Sequence, residues 1–287
     1  MSKFRLRGRR RRNRPQRQDR VPLRSIVPNL ITSLAACAGI TSISLSSEGR
    51  WTHALMALLV ACICDGMDGR VARLLKASSK LGAELDSLAD FVNFGVAPAM
   101  FMYFWLTGGP CHVDVSPRLV RLVLGSALFY AMCDCFRLAR FNTMLEQPTL
   151  PYWKNYFLGV PAPGGAWMVL SPAILSIALD AKGEYPAVAE FLQCPYFGIA
   201  MLLFVGALMA SRLPTISLKS VHVQKTMLLP IMAVLLLAVA FLVSNFWLTL
   251  GVVGIGYIFT VPVTGFMFVR TRARYERMQA VSPQVRD

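Results

Sequence analysis

The chain has 287 residues, of which 55% are hydrophobic and 16% are charged, and its formal net charge is +15. Its mean hydropathy is positive and long apolar segments recur along most of its length. This composition places the chain among integral membrane proteins and excludes an ordinary globular protein. No polar stretch is long enough to form a second soluble domain.

Positive charge is concentrated at the N-terminus. Eleven of the 30 Lys and Arg residues lie in the first 24 positions, including the run Arg9 to Arg12. Such a polar segment predicts a disordered cytoplasmic tail over residues 1–25. It could bind nucleic acid, but a basic segment before a membrane helix more often sets orientation and contacts anionic lipids. We therefore expect no nucleic-acid partner.

Eight segments are apolar and long enough to cross about 30 Å of hydrocarbon. They cover residues 26–45, 51–69, 84–107, 119–137, 158–179, 195–211, 226–243 and 246–269. Together they predict an all-α, polytopic helical bundle that forms one membrane domain over residues 26–270. A second basic tail follows over residues 271–287.

The distribution of Lys and Arg supports this threading. With eight spans and a cytoplasmic N-terminus, 26 of these residues fall on the cytoplasmic side, where they are usually enriched. The remaining four lie in or beside outer segments, and they are Arg50, Arg118, Arg121 and Lys182. Both termini are therefore predicted to be cytoplasmic. Six spans would also keep both termini inside, but they would leave an apolar pair unexplained.

Four aspartates interrupt the apolar pattern at the cytoplasmic ends of the second and third spans. A charged side chain deep in a membrane helix costs roughly 2.5–3.5 kcal/mol, so such residues commonly mark functional sites. Residues three or four apart share one helix face. That spacing places Asp65 and Asp68 on one strip of the second helix, and Asp86 and Asp90 on one strip of the third. The four carboxylates would converge if the two strips face each other.

Small residues accompany these aspartates, because Gly69, Ala72 and Gly82 leave room for a ligand or a close helix approach. Converging carboxylates repel, and a divalent cation would relieve the repulsion. All-oxygen ligation suits Mg²⁺, Mn²⁺ or Ca²⁺ rather than zinc. Two such metals could hold both the attacking and the leaving oxygens of a phosphate transfer. The simpler alternative is that the aspartates only cap helices at the water boundary.

The spacing of these residues resembles the signature of the CDP-alcohol phosphotransferase family. The matching positions are, in chain order, Asp65, Asp68, Gly69, Ala72, Arg73, Gly82, Asp86 and Asp90. The resemblance implies a membrane enzyme that displaces CMP from a CDP-linked donor with an alcohol. It implies that Asp65, Asp68 and Asp86 bind metal, and that Asp90 is the general base and also contacts the metal.

Further stretches are similar to the bacterial phosphatidylserine synthase branch of that family. They are VPNLITSLAACAGI (27–40), DSLADFVNFGVAPAMFMY (86–103), RLARFN (137–142), GVPAPGGA (159–166) and SRLPTISLK (211–219). The resemblance implies CDP-diacylglycerol and L-serine as substrates, with Asn29 and Thr32 near the nucleotide. It also implies a homodimer, and we expect a bacterial inner membrane with a cytoplasmic active site.

Basic residues on the cytoplasmic side could hold the acceptor. An arginine can grip the carboxylate of serine with two hydrogen bonds. The candidates for acceptor or phosphate binding are Arg137, Arg140, Asn142, Arg212 and Lys219. Arg73, beside the aspartates, is a candidate for donor phosphate or for an ion pair. The basic residues could instead be only membrane anchors.

Two other functions fit parts of the pattern. A phosphatidylglycerophosphate or phosphatidylinositol synthase would share the aspartate spacing, although a phosphorylated acceptor would require a denser basic pocket. A divalent-cation transporter would also use carboxylates within the membrane. Transport sites usually lie near the midplane, often in repeated halves, whereas these aspartates are confined to one edge and no second half mirrors them.

Overall fold

The computed structural model describes residues 26–77, 79–109, 115–144, 156–180, 183, 185–211, 214–216, 228–260, 264 and 270. This described part is helical apart from one short pair of strands. Its helices are α1 (Ile26–Ser47), α2 (Trp51–Leu74), α3 (Lys80–Asp90), α4 (Ala97–Gly108), α5 (Pro117–Met144), α6 (Ala162–Asp180), α7 (Pro186–Gln193), α8 (Pro195–Ala210), α9 (Leu228–Ser244) and α10 (Phe246–Thr260). A π-helical turn, Phe91–Val96, joins α3 to α4.

Four helical segments of the described chain are long and apolar enough to cross a membrane: α1, the continuous helix Lys80–Gly108, α5 and α6. The helices α7 and α8 would together make a fifth, although they meet at an angle of 57°. The chain is therefore a helical integral membrane protein, as predicted. The count of eight spans and the cytoplasmic termini are not confirmed, and the two basic tails, residues 1–25 and 271–287, lie outside the described residues.

The beginning of the predicted fifth span is wrong. Tyr156–Leu158 forms strand β1, which pairs antiparallel with β2, Pro214–Ile216. The helix α6 begins only at Ala162, because the chain first turns at Gly159, whose φ of +78° suits a residue without a side chain. The all-α prediction missed this strand pair, since three-residue strands leave almost no periodic pattern in a sequence.

The helix from Lys80 to Gly108 carries two of the four aspartates and changes its geometry directly after Asp90. Phe91–Val96 forms a π-helical turn, which takes more residues per turn than an α-helix and often occurs at functional sites. The Tyr130 hydroxyl on α5 donates a hydrogen bond of 2.8 Å to the carbonyl of Phe94 within this turn. The side chain of Tyr130 is fully buried, so α5 ties the π turn to the interior of the bundle.

Aromatic rings form the centre of the core, which lies between α2, α4, α5, α6 and α8. The Trp51 ring meets Phe101 and Trp105 edge-on, with centroid distances of 5.9 and 5.1 Å. Phe101 and Trp105 stack on each other at 6.2 Å. Such pairs are worth about 0.5–1.5 kcal/mol each beyond the burial of their surface. This aromatic cluster fixes the start of α2 against α4, and hence against the helix that continues from α3.

Glycines let α8 approach its neighbours closely. A Cβ atom on Gly198 would lie 2.4 Å from a methyl group of Leu106 on α4. A Cβ atom on Gly206 would lie 3.2 Å from the Cα atom of Tyr130 on α5 and 3.3 Å from the ring of Phe129. Small residues are the usual means of close helix packing in membranes, where no hydrophobic force drives helices together.

We expect Gly206→Val to push α8 away from α5 and to lower the free energy of unfolding by about 1–3 kcal/mol. The measurement is the thermal unfolding midpoint of the purified protein in detergent micelles. The matched control is Gly125→Val on α5, because a Cβ atom there meets no described atom within 4 Å. An unchanged midpoint for Gly206→Val would contradict the close packing of these two helices.

Candidate active site

The four aspartates lie where α2 ends and α3 begins. Asp65 and Asp68 belong to the last three turns of α2, and Asp86 and Asp90 lie on α3. Only residues 75–79 separate the two helices, so the chain reverses at once and brings both strips together. The helix α1 packs against both of them. The facing arrangement predicted from the spacing of three and four residues is thus present.

Three carboxylates form a compact group. Asp65, Asp68 and Asp86 each offer an oxygen atom, and these atoms all lie within 4.8 Å of one another. Asp68 is almost fully buried, with 3% of its surface exposed, whereas Asp65 and Asp86 are partly open to the site. Asp90 is outside this group, but its carboxyl group lies within hydrogen-bonding reach of Asp65.

The orientation of Asp68 is fixed from both sides. Its Oδ2 atom accepts a hydrogen bond of 2.6 Å from the Thr32 hydroxyl on α1, and its Oδ1 atom accepts one from the backbone N–H of Gly69. The Thr32 hydroxyl also lies 3.1 Å from the carbonyl of Pro28. The hydroxyl has one proton to donate. Thr32 donates it to the Asp68 carboxylate rather than to the Pro28 carbonyl, because hydrogen bonds to an ionised group are shorter and stronger.

The residues present fit a divalent cation. Within the described part of the chain, no basic side chain forms an ion pair with Asp65, Asp68 or Asp86. Their negative charges are therefore concentrated and form no ion pair with a described side chain, and all their ligand atoms are oxygens. Hard cations such as Mg²⁺ and Mn²⁺ prefer this set of atoms and commonly complete their shells with water and phosphate oxygens.

A cavity of about 210 Å³ opens beside this group. Five of the six residues predicted to bind the donor line it, namely Asn29, Thr32, Gly69, Ala72 and Gly82, and the sixth, Arg73, does not. A Cβ atom on Gly82 would lie 2.9 Å from Asn29 Oδ1, so a side chain at this position would crowd the cavity wall. Asp68 and Asp86 complete the polar side of the cavity.

Four further residues of this wall were not predicted from the sequence, namely Pro28, Ala77, Ser79 and Ala83. Of these, Ser79 had a recognisable signal. It is the N-cap residue of α3, and its hydroxyl accepts a hydrogen bond of 3.0 Å from the backbone N–H of Gly82. Serine is among the residues preferred at the N-cap, where its oxygen accepts a backbone N–H from the first turn of the helix.

The predicted basic residues lie in different surroundings. Arg73 is exposed, and its Nε atom donates to the carbonyl of Gly69 one turn earlier in α2. Asn142 donates a hydrogen bond of 3.1 Å to the hydroxyl of Ser87, which lies on α3 between the last two aspartates. Arg212 and Lys219 lie outside the described residues.

The two arginines of the RLARFN stretch differ in their contacts. Arg140 donates from NH1 to the carbonyl of Ala210 at 2.9 Å and from NH2 to that of Ser211 at 3.0 Å, where α8 ends. Arg137 forms one ion pair, through its Nε atom, with Asp134 at 3.5 Å. Among the described residues, no acceptor lies within hydrogen-bonding distance of its NH1 or NH2 atom.

Comparisons with known proteins show the family to which this chain is similar. The CDP-alcohol phosphatidyltransferase family profile matches residues 25–202. A protein of Mycobacterium leprae (strain TN) named CDP-diacylglycerol–serine O-phosphatidyltransferase is 36% identical over 251 residues, which cover 87% of this chain and 77% of the relative. A protein of the same name from Helicobacter pylori (strain J99 / ATCC 700824) is 34% identical over 66% of this chain and 70% of its own length.

An archaeal relative extends the comparison. The archaetidylserine synthase of Methanothermobacter thermautotrophicus is 31% identical over 179 residues, which cover 56% of this chain and 70% of the relative. The names of these three relatives all refer to serine. The match to the family profile covers the part of the chain that contains the aspartate group.

We expect Thr32→Val to weaken Mn²⁺ binding by roughly 10–100-fold, because the Asp68 carboxylate loses the hydroxyl that orients it. Binding can be measured by the loss of the free Mn²⁺ electron paramagnetic resonance signal on titration with purified protein. The matched control is Thr41→Val, since Thr41 is on the same helix and its hydroxyl donates only to the backbone carbonyl of Cys37. Equal Mn²⁺ affinities for both variants would contradict the role given to Thr32.

Proposed function

This chain belongs to the CDP-alcohol phosphatidyltransferase family, and we propose that it transfers the phosphatidyl group from CDP-diacylglycerol to L-serine, giving phosphatidylserine and CMP. The family resemblance predicted from the aspartate spacing is confirmed. The observation that carries the proposal is the group of three carboxylates, Asp65, Asp68 and Asp86, beside a cavity where α2 ends and α3 begins.

In this proposal Asp65, Asp68 and Asp86 hold one or two divalent cations, Mg²⁺ or Mn²⁺, and Asp90 is the further carboxylate available to a second cation. When bound, the cation supplies positive charge that neutralises the phosphates of the donor. Thr32 and the Gly69 amide hold Asp68 in place. Asp68 is therefore preorganised before either substrate binds.

The cavity wall is suited to the nucleotide end of the donor. Gly69, Ala72 and Gly82 have small side chains or none, so they allow a bulky group to lie close to the helices. Asn29 offers an amide that can donate and accept hydrogen bonds within the same wall. Arg73, exposed beside Gly69, is placed to meet a phosphate.

Asp90 is proposed as the general base. It accepts the proton of the serine hydroxyl while the hydroxyl oxygen forms a bond to the phosphorus that carries diacylglycerol. The bond between that phosphorus and the CMP oxygen breaks, and CMP leaves. Asp90 suits this role because it lies beside the three carboxylates without belonging to the group. A base must reach the attacking hydroxyl while the donor phosphate occupies the site.

Arg137 is the residue that we assign to the serine carboxylate. Its NH1 and NH2 atoms have no acceptor among the described residues, and its positive charge is close enough to act on Asp90. A guanidinium can bind a carboxylate through both terminal nitrogens. Arg140 uses these nitrogens for the end of α8, so its predicted role in acceptor binding depends on the experiment below. Asn142, Arg212 and Lys219 stay as further candidates.

The proposal includes the membrane setting. We propose eight spans, both termini in the cytoplasm, and an active site at the cytoplasmic face of a bacterial inner membrane, because 26 of the 30 Lys and Arg residues then fall on that side. A homodimer is part of the proposal through the family resemblance. CDP-diacylglycerol would keep its acyl chains in the inner leaflet while serine enters from water.

The experiment that tests this function measures CMP release by the purified protein from CDP-diacylglycerol with Mn²⁺ or Mg²⁺. Serine, glycerol 3-phosphate and inositol are compared as acceptors, and EDTA is the control. We expect release that requires both metal and serine. Release with glycerol 3-phosphate or inositol instead would support the role of the aspartates but show that the acceptor is not serine. No release with any acceptor from folded protein would contradict the transferase and reopen a role in cation transport.

We expect Asp90→Asn to lower turnover by about 10²–10⁴-fold, because the amide cannot accept the hydroxyl proton. Its metal-dependent binding of CDP-diacylglycerol should be largely kept, which a sedimentation assay with donor-containing vesicles would measure. Glu84→Gln, an exposed carboxylate on the same helix, is the matched control. Full activity of Asp90→Asn would show that another group is the base.

The two arginines can be compared directly. We expect Arg137→Ala to raise the KM for serine by about tenfold or more, with little change in the KM for CDP-diacylglycerol.

Arg140→Ala should instead lower the thermal midpoint, because two backbone carbonyls at the end of α8 lose a charged donor, at a cost of about 1–3 kcal/mol. A selective rise in the serine KM of Arg140→Ala would give the acceptor role to Arg140.

A further inference from the structure

One face of α5 connects the interior of the bundle to the candidate active site. Tyr130, Asp134 and Arg137 are four and three residues apart, so they share that face. Tyr130 donates to the carbonyl of Phe94 in the π turn. Asp134 lies against the same turn, where a Cβ atom on Gly95 would approach its Oδ2 atom to 2.8 Å. Glycine at position 95 therefore leaves the space that the Asp134 carboxylate occupies.

Asp134 is a carboxylate in an unusual place. It has no exposed surface, it lies within an apolar span, and its Oδ2 atom has no hydrogen-bond partner in the described chain. Its Oδ1 atom meets Arg137 Nε at 3.5 Å, and Arg137 itself is only 12% exposed. A buried charge in a membrane helix is costly and usually has a partner and a function. None of the roles described above uses Asp134.

The contact between these residues restricts the Arg137 guanidinium. Asp134 engages the Nε atom, and no described acceptor lies within hydrogen-bonding distance of either terminal nitrogen. The positive charge of Arg137 is close enough to act on the carboxylate of Asp90, the residue directly before the π turn. A guanidinium held at one nitrogen loses fewer side-chain conformations when the other two bind a carboxylate.

We propose that Asp134 is a positioning residue that aims Arg137 at the carboxylate of the acceptor. This inference rests on the proposed function, because it assumes that the acceptor is serine and that Arg137 binds it. Asp134 would act only through Arg137 and would touch neither substrate. It would therefore determine how well the site distinguishes an amino-acid acceptor from an alcohol without a carboxylate.

The test is Asp134→Asn, which keeps the shape of the side chain and removes its charge. We expect the KM for serine to rise about tenfold, within the range of couplings found in one salt-bridge network, with kcat and the KM for CDP-diacylglycerol changed less than threefold. Serinol, an acceptor in which a hydroxymethyl group replaces the carboxylate, should be used equally by wild type and variant. Asp180→Asn is the control, since Asp180 accepts a hydrogen bond from Gln193 at the end of α6.

A double-mutant cycle separates this role from general support of the fold. In the Arg137→Ala background, Asp134→Asn should produce no further rise in the serine KM, because its route to the acceptor is already lost. Additive effects, or equal losses with serine and serinol, would overturn the inference. If Asp134→Asn does not fold, Gly95→Ala displaces the same carboxylate without removing it, and an unchanged serine KM in that folded variant would overturn the inference too.

The outcomes also distinguish the inference from the function on which it rests. No serine-dependent CMP release by the wild-type chain would overturn the proposed function and this inference together. Normal serine-dependent release by the wild type, with an unchanged serine KM in folded Asp134→Asn, would overturn the inference alone.

Discussion

The crowding of negative charge between α2 and α3 is the constraint on which the rest of the structure depends. Asp65, Asp68 and Asp86 bring carboxylate oxygens within 4.8 Å of one another. Two unit charges about 4 Å apart repel by roughly 4 kcal/mol near a protein surface, so packing elsewhere must hold the helices together. The helix α1 supports both and supplies Thr32, and the aromatic cluster around Trp51 fixes α2 to α4.

The same crowding explains the position of the site along the helices. A carboxylate group in the middle of the hydrocarbon would face the full cost of a buried charge. In the proposed membrane setting, the last turns of α2 and the first turns of α3 join an apolar helical body to the loop of residues 75–79, so cations and water would reach the carboxylates. A lipid donor and a water-soluble acceptor can meet only at such a boundary, and the proposed reaction requires this meeting.

Much of the site could be predicted from the sequence, because helical spacing fixes which side chains share a face. The intervals between Asp65 and Asp68 and between Asp86 and Asp90 indicated two strips of carboxylates, and the small residues Gly69, Ala72 and Gly82 indicated room for a ligand or a close helix approach. The π turn after Asp90 and the strands β1 and β2 could not be predicted, since FVNFGV and YFL read as ordinary apolar segments. The different contacts of Arg137 and Arg140 could not be predicted either, because Arg140 binds carbonyl groups at the end of α8, about 70 residues away.

The most direct test of the central claim is whether a metal held by the aspartates contacts the donor phosphate. Pulsed electron paramagnetic resonance of Mn²⁺ bound to the full chain can detect magnetic coupling to phosphorus-31 of added CDP-diacylglycerol. The account predicts this coupling in the wild type and its loss, together with the loss of bound Mn²⁺, in Asp68→Asn. Bound Mn²⁺ without phosphorus coupling in the presence of donor, or coupling that is unchanged in Asp68→Asn, would contradict it.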